Sequence, residues 1–507
     1  MASVFMLAGF LSDQHHADPP AHRGLPWLVR LTVCSIESSV QHRSRGWFSM
    51  SRARFQSALV LASLFLLPSV AKAQDDKPFQ MRDGVSREQI LDATLEPYGG
   101  RSVHEGEKPQ LVGSVMCGYQ GWFSCPGDGA GRGWYHWQKG RRFEPGSCTI
   151  DLWPDVSELH PDERYQTAFQ LENGQPAEVY SALTPETVDR HFLWMQEHQI
   201  DGVFVQRFAG EVRGEKGLHH FNVVLDNCRA GANRHGRAWA VMYDLSGLEK
   251  GGTRSVIEDW KALRYRMNVG RDPADQAYLH HGKKPLVALW GIGFNDGRRY
   301  TIEECAELID FLQNDPKYGG FSVMVGVPSY WRELRTDCID DPALHELIKQ
   351  VEVVSPWAVG RFGDDEEVQR YAQEVWRPDL AWCKKNNVTY LPVVFPGFSW
   401  HNLNPDFPLN QIPRRKGRFL WKQFEELKDT GVETAYVAMF DEVDEATAIF
   451  KCTNNPPVGE SRFLDYEGLP TDHYLWLVGK GRSLLRGELP PQRGFPVREL
   501  SSETCID

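Results

Sequence analysis

The chain lacks the signatures of several large functional classes. It has no C-x-x-C pair, so a zinc ribbon has no ligand framework. No G-x-G-x-x-G opens a helix after the first apolar run, and that Gly-rich turn is what a doubly wound dinucleotide fold needs to approach a pyrophosphate. There is no internal repeat and no low-complexity run. Basic charge is in the minority: 56 Lys and Arg stand against 68 Asp and Glu, a formal charge of −12. That balance argues against nucleic acid or an acidic membrane as partner, because both are bound through basic patches. Long apolar runs are missing too. The nearest is "SALVLASLFLLPSV" at 57–70, too short to span a bilayer.

What that short run does resemble is the core of a signal peptide. "SRARFQ" before it is a basic leader, and Ala71-Lys72-Ala73 after it fits the small-x-small cleavage rule. Residues 1–49 carry no sustained period. The expectation is therefore a start at Met50, with 1–49 as an N-terminal extension. Residues 50–73 are the signal peptide, and the mature protein is exported to the periplasm or secreted, with no stable membrane span after cleavage. A lone membrane anchor is the alternative. Cysteine is sparse: nine lie beyond residue 73, an odd number that leaves at least one unpaired. Cys117, Cys125 and Cys148 sit in a Gly-rich region where one disulfide is expected.

Hydrophobic residues make up 41% of the 507 residues, ample for a large core. From residue 111 onward short apolar runs alternate with amphipathic helical patterns, the mark of βα units around a parallel sheet. The strand candidates are 111–119, 201–208, 237–244, 284–291, 321–328, 351–360, 388–397 and 433–442, each followed by a helical pattern. Thr184 with Pro185 reads as a helix start, and Thr301 with Glu304 as a capping box. Eight strands and eight helices predict an α/β fold, a (β/α)8 TIM barrel forming one large domain over 111–488. The roughly 380 residues involved fit the range of about 200 to over 400 for such barrels. An open doubly wound sheet is the alternative. Residues 74–110 read as an extended lead-in and 489–507 as a tail.

In such a barrel the site lies at the C-terminal ends of the strands. The residues there are polar and aromatic, and the candidates for substrate contact are Tyr119, Trp122, Arg207, Tyr243, Asp244, Trp290, Trp331, Trp357, Arg361, Trp400, His401 and Asp441. Aromatic rings stack on the C–H faces of sugars, and carboxyls, amides, Arg and His bind their hydroxyls. A carbohydrate is the expected partner.

The eighth strand ends in "MFDEVDEATAIF" at 439–450, with carboxyls at Asp441, Glu442, Asp444 and Glu445. A turn-like E-x-x-E spacing puts Glu442 and Glu445 on one side, within reach of one ligand. Glycoside hydrolysis uses such a pair, one carboxyl protonating the departing oxygen and the other acting across the scissile centre. Crowding and burial raise the pKa of one and keep it an acid near neutral pH. Two other readings stand beside this: a divalent cation site, although no EF-hand spacing is present, and a solvated helix start.

"GYQGWF" (118–123), "IDGVFVQRF" (200–208), "LPVVFPGFSWHNLNP" (391–405) and "YVAMFDEVDEATAIF" (436–450) together resemble glycoside hydrolase family 99 and the related family 71/99-like proteins. The likeness covers most of 110–450. It rests on Pro396-Gly397-aromatic and on the spacing Phe440-x-Glu442-x-x-Glu445-x-Thr447-x-Ile449. The resemblance implies a (β/α)8 barrel that cleaves α-linked glycans with retention and without metal or other cofactor. It also implies that Glu442 assists the substrate 2-hydroxyl and that Glu445 is the general acid/base, both catalytic. The chain departs from the family at Asp441 (Asn there), at Val443 and Asp444 (Trp and His there), and at Ala446 (Gly there). It departs again at 399–402, Ser-Trp-His-Asn, where the family carries acidic and Arg residues. The expected function is an exported, endo-acting glycoside hydrolase on an α-linked polysaccharide or oligosaccharide. A non-catalytic carbohydrate-binding barrel and a Ca²⁺-dependent surface protein are the rivals.

Overall fold

The architecture comes from a computed structural model that describes residues 79–104, 106–489 and 494–498. The expected extension, the signal peptide and most of the tail lie outside those residues. The eight barrel strands are β1 (Val115–Tyr119), β2 (Gly202–Phe208), β3 (Ala238–Asp244), β4 (Lys284–Trp290), β5 (Ser322–Val327), β6 (Val353–Pro356), β7 and β8 (Ala435–Val437). Strand β7 comes in two halves, Thr389–Tyr390 and Val393–Val394, on either side of Leu391-Pro392. Each strand falls inside its predicted run.

All eight pair in parallel in the order β1 to β8, and β8 returns to β1 through Val115↔Ala435 and Cys117↔Val437. The split in β7 closes the ring. Its first half pairs with β6 and its second with β8, so one short run of chain bridges both neighbours. Pro392 has no N–H to give, yet its carbonyl accepts from Tyr436 N–H at 2.9 Å and keeps the ladder continuous. The fold is a (β/α)8 barrel. Its strands are buried on both faces, β2 and β3 at every position, which is why they read as continuous apolar runs rather than alternating ones.

The helices begin where their sequences say. Thr301 and Glu304 form the reciprocal capping box at the start of Ile302–Asn314. Thr184 occupies the N-cap of Pro185–Glu197, but its side chain makes no capping bond; Pro185 supplies the start by its fixed φ. The helix Glu215–His235 ends on Gly236 at φ 62, a left-handed position that glycine takes without a Cβ clash. The lead-in is not extended throughout, because Ser86 and Gln89 cap a short helix, Arg87–Thr94. That helix is tied to Asn222, whose side-chain amide donates to Thr94 Oγ1. Cys117, Cys125 and Cys148 are free, buried thiols rather than a disulfide. Cys125 Sγ lies on the Tyr180 carbonyl and Cys148 Sγ on Ser461 Oγ, so packing has spent them on separate neighbours. Among the described residues no helix is long and apolar enough to cross a membrane.

Candidate active site

Leaving β8, the chain folds into a compact turn across the top of the barrel. Phe440 N–H donates to Gly118 O at 2.8 Å and anchors the turn to the end of β1. Thr447 and Ala448 N–H both donate to Glu442 O, closing a loop of residues that holds Glu442 and Glu445 together. Ala446 takes the strain of this turn at φ 51. A left-handed backbone costs a residue with a Cβ roughly 1–2 kcal/mol. Arg414, buried against the rings of Tyr466 and Tyr474, holds the turn from behind, its Nη2 donating to Ala446 O (2.7 Å) and Ala448 O (2.6 Å).

The four carboxyls do not converge on one point, so they make neither a cation cage nor a solvated helix start. Asp441 turns away from the cavity and accepts from Gln120 N–H (2.7 Å) and Gly121 N–H (2.8 Å), fixing the loop after β1. Asp444 meets His136 Nδ1 at 3.2 Å. Glu442 accepts from Gln120 Nε2 at 2.8 Å on one oxygen and meets Thr447 Oγ1 at 2.9 Å on the other. Glu442 and Glu445 line one pocket, with Gln120, Trp122, Gln206, Phe208, Asp244, Trp290, Trp357 and Met439 as its walls.

Burial governs the acids here. It raises Asp441 to about 7 and Asp444 to about 8, with Asp151 adding to the rise at Asp444. Burial also raises Glu445 to about 8, and Asp444 is the carboxyl that adds to it. Glu442 is also raised well above the usual glutamate range, by burial first and then by repulsion from Glu445 and Asp444, while the bonds from Thr447 and Gln120 pull it down. Both pocket glutamates are thus raised, and their donors tell them apart: Glu442 has Gln120 and Thr447, which favour a carboxylate, while Glu445 has the Asp444 carboxyl beside it.

Of the residues expected to contact substrate, Trp122, Asp244, Trp290 and Trp357 line this pocket. Arg207 and Tyr243 do not. They point out of the barrel, where Arg207 Nε and Nη2 donate to Asp259 (2.5 and 2.7 Å) and Tyr243 OH donates to the same carboxylate. Side chains alternate along a strand, so Arg207 facing outward puts Gln206 and Phe208 inward. Tyr119 is also core: its OH meets His191 Nδ1 at 2.9 Å and its ring stacks on Phe440. Trp331 is fully buried, donating to Asp379 and packing on Trp382. Arg361 pairs with Asp337 at 2.8 Å. Trp400 packs on Phe398 and Phe407, and His401 bonds to Phe407 O, so both serve the loop after β7 rather than the pocket wall. Asp151 pins that loop through Ser399 Oγ, His401 N–H and Asn402 N–H.

Four polar atoms in the wall are buried without a partner: Gln120 Oε1, Gln206 Oε1, Trp122 Nε1 and Trp290 Nε1. Buried polar groups are ordinarily paired, and leaving one unpaired costs about 1–3 kcal/mol. Two acceptors and two donors on the wall residues thus leave hydrogen-bonding capacity of both kinds around the pocket. Gln120, Gln206, Phe208, Met439 and His136 were absent from the expected set. Strand parity was the signal available for Gln206 and Phe208; nothing in the sequence marked His136.

No protein-family profile and no curated protein matches the sequence. Among solved structures, the barrel is similar to that of the GH99 endo-alpha-mannosidase from Bacteroides thetaiotaomicron. The TM-score is 0.55 and the identity 16%, covering 74% of this chain and 98% of that one. A second structure of that enzyme, in complex with Bis-Tris-propane, gives 0.53 and 16%, over 75% and 98%. At this identity the likeness establishes the shared barrel.

Proposed function

We propose that the protein is a glycoside hydrolase, endo-acting on an α-linked, uncharged glycan. The observation that carries the reading is the pairing of Glu442 and Glu445 in one pocket walled by Trp122, Trp290 and Trp357. The likeness to an endo-alpha-mannosidase barrel and the E-x-x-E motif at the end of β8 support the α-linkage.

The chemistry assigned to the pair rests on the donors that Glu442 has, Gln120 and Thr447. Glu445 carries the proton and delivers it to the glycosidic oxygen as the C1–O bond breaks. Glu442, as a carboxylate held by Gln120 and Thr447, takes the proton of the sugar 2-hydroxyl, whose oxygen closes on C1. Water then opens that 1,2-anhydro ring. Glu445 accepts a proton from the water and Glu442 returns one to O2, so the anomeric configuration is retained.

The substrate class follows from the wall. The described lining contains no Lys, Arg or His. The two arginines expected near it are committed elsewhere, Arg207 to Asp259 and Arg361 to Asp337, and Arg332 after β5 pairs with Asp379. A hydroxyl satisfies both the glutamine oxygens and the indole N–H groups; a carboxylate or sulfate would face Glu442, Glu445 and Asp244 without a counter-charge. A neutral sugar at the cleavage point is the chemistry that fits. Export through the segment at 50–73 is part of the same proposal.

The test is reducing-end release from a panel of α-linked glycans, using protein that starts at Gln74. Glu445→Gln and Glu442→Gln should each lower turnover at least ~100-fold, the contribution of a positioned acid or base. Unaltered hydrolysis in either variant would remove that residue from the mechanism. Glycan binding with no release by wild type would make this a binding barrel.

A further inference from the structure

Asp444 lies between the two pocket glutamates in sequence and lines no part of the pocket, yet it is 2% exposed and its Oδ1 has no partner. Its other oxygen meets His136, which arrives from an irregular segment 308 positions earlier in the chain. His136 is itself unusual. Its backbone sits at φ 65, a strained region for a residue with a Cβ, and such strain persists only where the surroundings over-determine it. Three contacts do so. Thr149 Oγ1 donates to its carbonyl, Asp444 holds Nδ1, and the imidazole lies flat on Trp122 with ring centroids 3.8 Å apart and planes 5° from parallel. Trp122 is a pocket wall. One imidazole therefore joins the wall that would touch the sugar to the carboxyl beside Glu445.

We propose that the His136–Asp444 pair is a positioning device for the acid: Asp444 governs how readily Glu445 releases its proton, and His136 ties Asp444 to the Trp122 wall. The proposal rests on the assignment of Glu445 as the acid. His136 is neutral, because burial and the nearby Arg132 hold its pKa well below the usual histidine value; its Nδ1 lies 3.2 Å from Asp444 Oδ2, and the coupling requires the Nδ1–H tautomer as donor. The other titratable groups around the pair are Glu442 and Asp441 on its own turn, Asp151 and Tyr180 from the insertion, and His220 and Glu211 from the helical side. Asp444 is the carboxyl that adds to the rise at Glu445. With two like groups this close, loss of the second proton is opposed by the charge left by the first, and the pair titrates in two steps.

The test needs no substrate. Protein labelled with carboxyl-¹³C glutamate is titrated from pH 4 to 10 by infrared difference spectroscopy, and Glu445→Gln identifies the Glu445 band. Asp444→Asn should lower the Glu445 midpoint by at least about one pH unit, the effect of removing an adjacent like charge. His136→Phe keeps a ring on Trp122 but gives Asp444 no donor. Asp444 then stays protonated to higher pH, and the Glu445 midpoint again falls. Each variant is read only when its circular dichroism matches wild type, and each reads the coupling alone, so misfolding of one leaves the other as the test. An unmoved Glu445 midpoint in a folded variant overturns the proposal. A shifted midpoint in a protein that hydrolyses no glycan upholds the coupling and refutes the hydrolase reading.

Discussion

At the scale of single residues, parity along a strand decides what each side chain can do. Gln206 and Arg207 are neighbours at the end of β2, and both are polar enough to bind a sugar. Only Gln206 reaches the pocket, and Arg207 is sealed outside the barrel against Asp259. The same division separates Asp244, in the wall, from Tyr243, which shares the Asp259 carboxylate. Arg207→Met should therefore destabilise the fold by about 3 kcal/mol, because it leaves the buried Asp259 only the longer contact to Arg87 at 3.7 Å as counter-charge. Chemical denaturation measures this, and glycan affinity at a temperature where the variant is folded should match wild type. Gln206→Leu should do the reverse: little change in stability, since its amide makes only long contacts to Met242 Sδ and Tyr436 OH, but a KM raised about tenfold by the loss of one buried hydrogen bond to ligand. A KM unchanged in Gln206→Leu would place the ligand elsewhere.

At the scale of elements, the turn after β8 is held by groups that touch no substrate. Arg414 grips two of its carbonyls and lies against Tyr466 and Tyr474 with no carboxylate among its hydrogen-bond partners. Gly397 leaves room for it: a Cβ there would stand 2.6 Å from Arg414 Cγ. Arg414→Met keeps the stem that packs on the rings but frees both carbonyls. The expected result is a kcat about 10–100-fold lower with KM within about threefold, since a misplacement of about 1 Å in a catalytic group costs that much. Steady-state kinetics checks it, and a change confined to KM would show that Arg414 does not set the carboxyl geometry. The element boundaries were legible in the sequence because each rests on local chemistry: the capping box at Thr301, the proline at 185, the apolar runs of the strands. The helix at Arg87–Thr94 was not, although Ser86 and Gln89 carry its capping box, because its apolar stripe is short.

At the scale of the whole molecule, the buried acids tie stability to pH. Asp441, Asp444 and Glu445 hold protons to about 7, 8 and 8 when folded, against values near 4 for carboxyls in an open chain. The folded state binds the extra protons. Stability from these groups is thus complete below about pH 4 and is lost as pH rises through 7 to 8. Glu445→Gln should melt about 2–4 °C above wild type at pH 8.5 and close to it at pH 5, a contrast calorimetry can read. Equal slopes in the two proteins would mean that the Glu445 carboxyl is not held up by its surroundings. The sequence by itself determined the count and order of the barrel strands and the pair Glu442–Glu445 at the end of the last one, because periodicity, capping residues and turn spacing act over a few neighbours in the chain; the hairpin Tyr165–Gln170 and Pro176–Val179 in the insertion was not read. Only the tertiary structure decided which face of each strand looks into the barrel, that Asp441 braces the first loop, and that His136 reaches Asp444 and Trp122. Those contacts join positions as far as 321 residues apart, and closure of the ring, not local preference, brings them together.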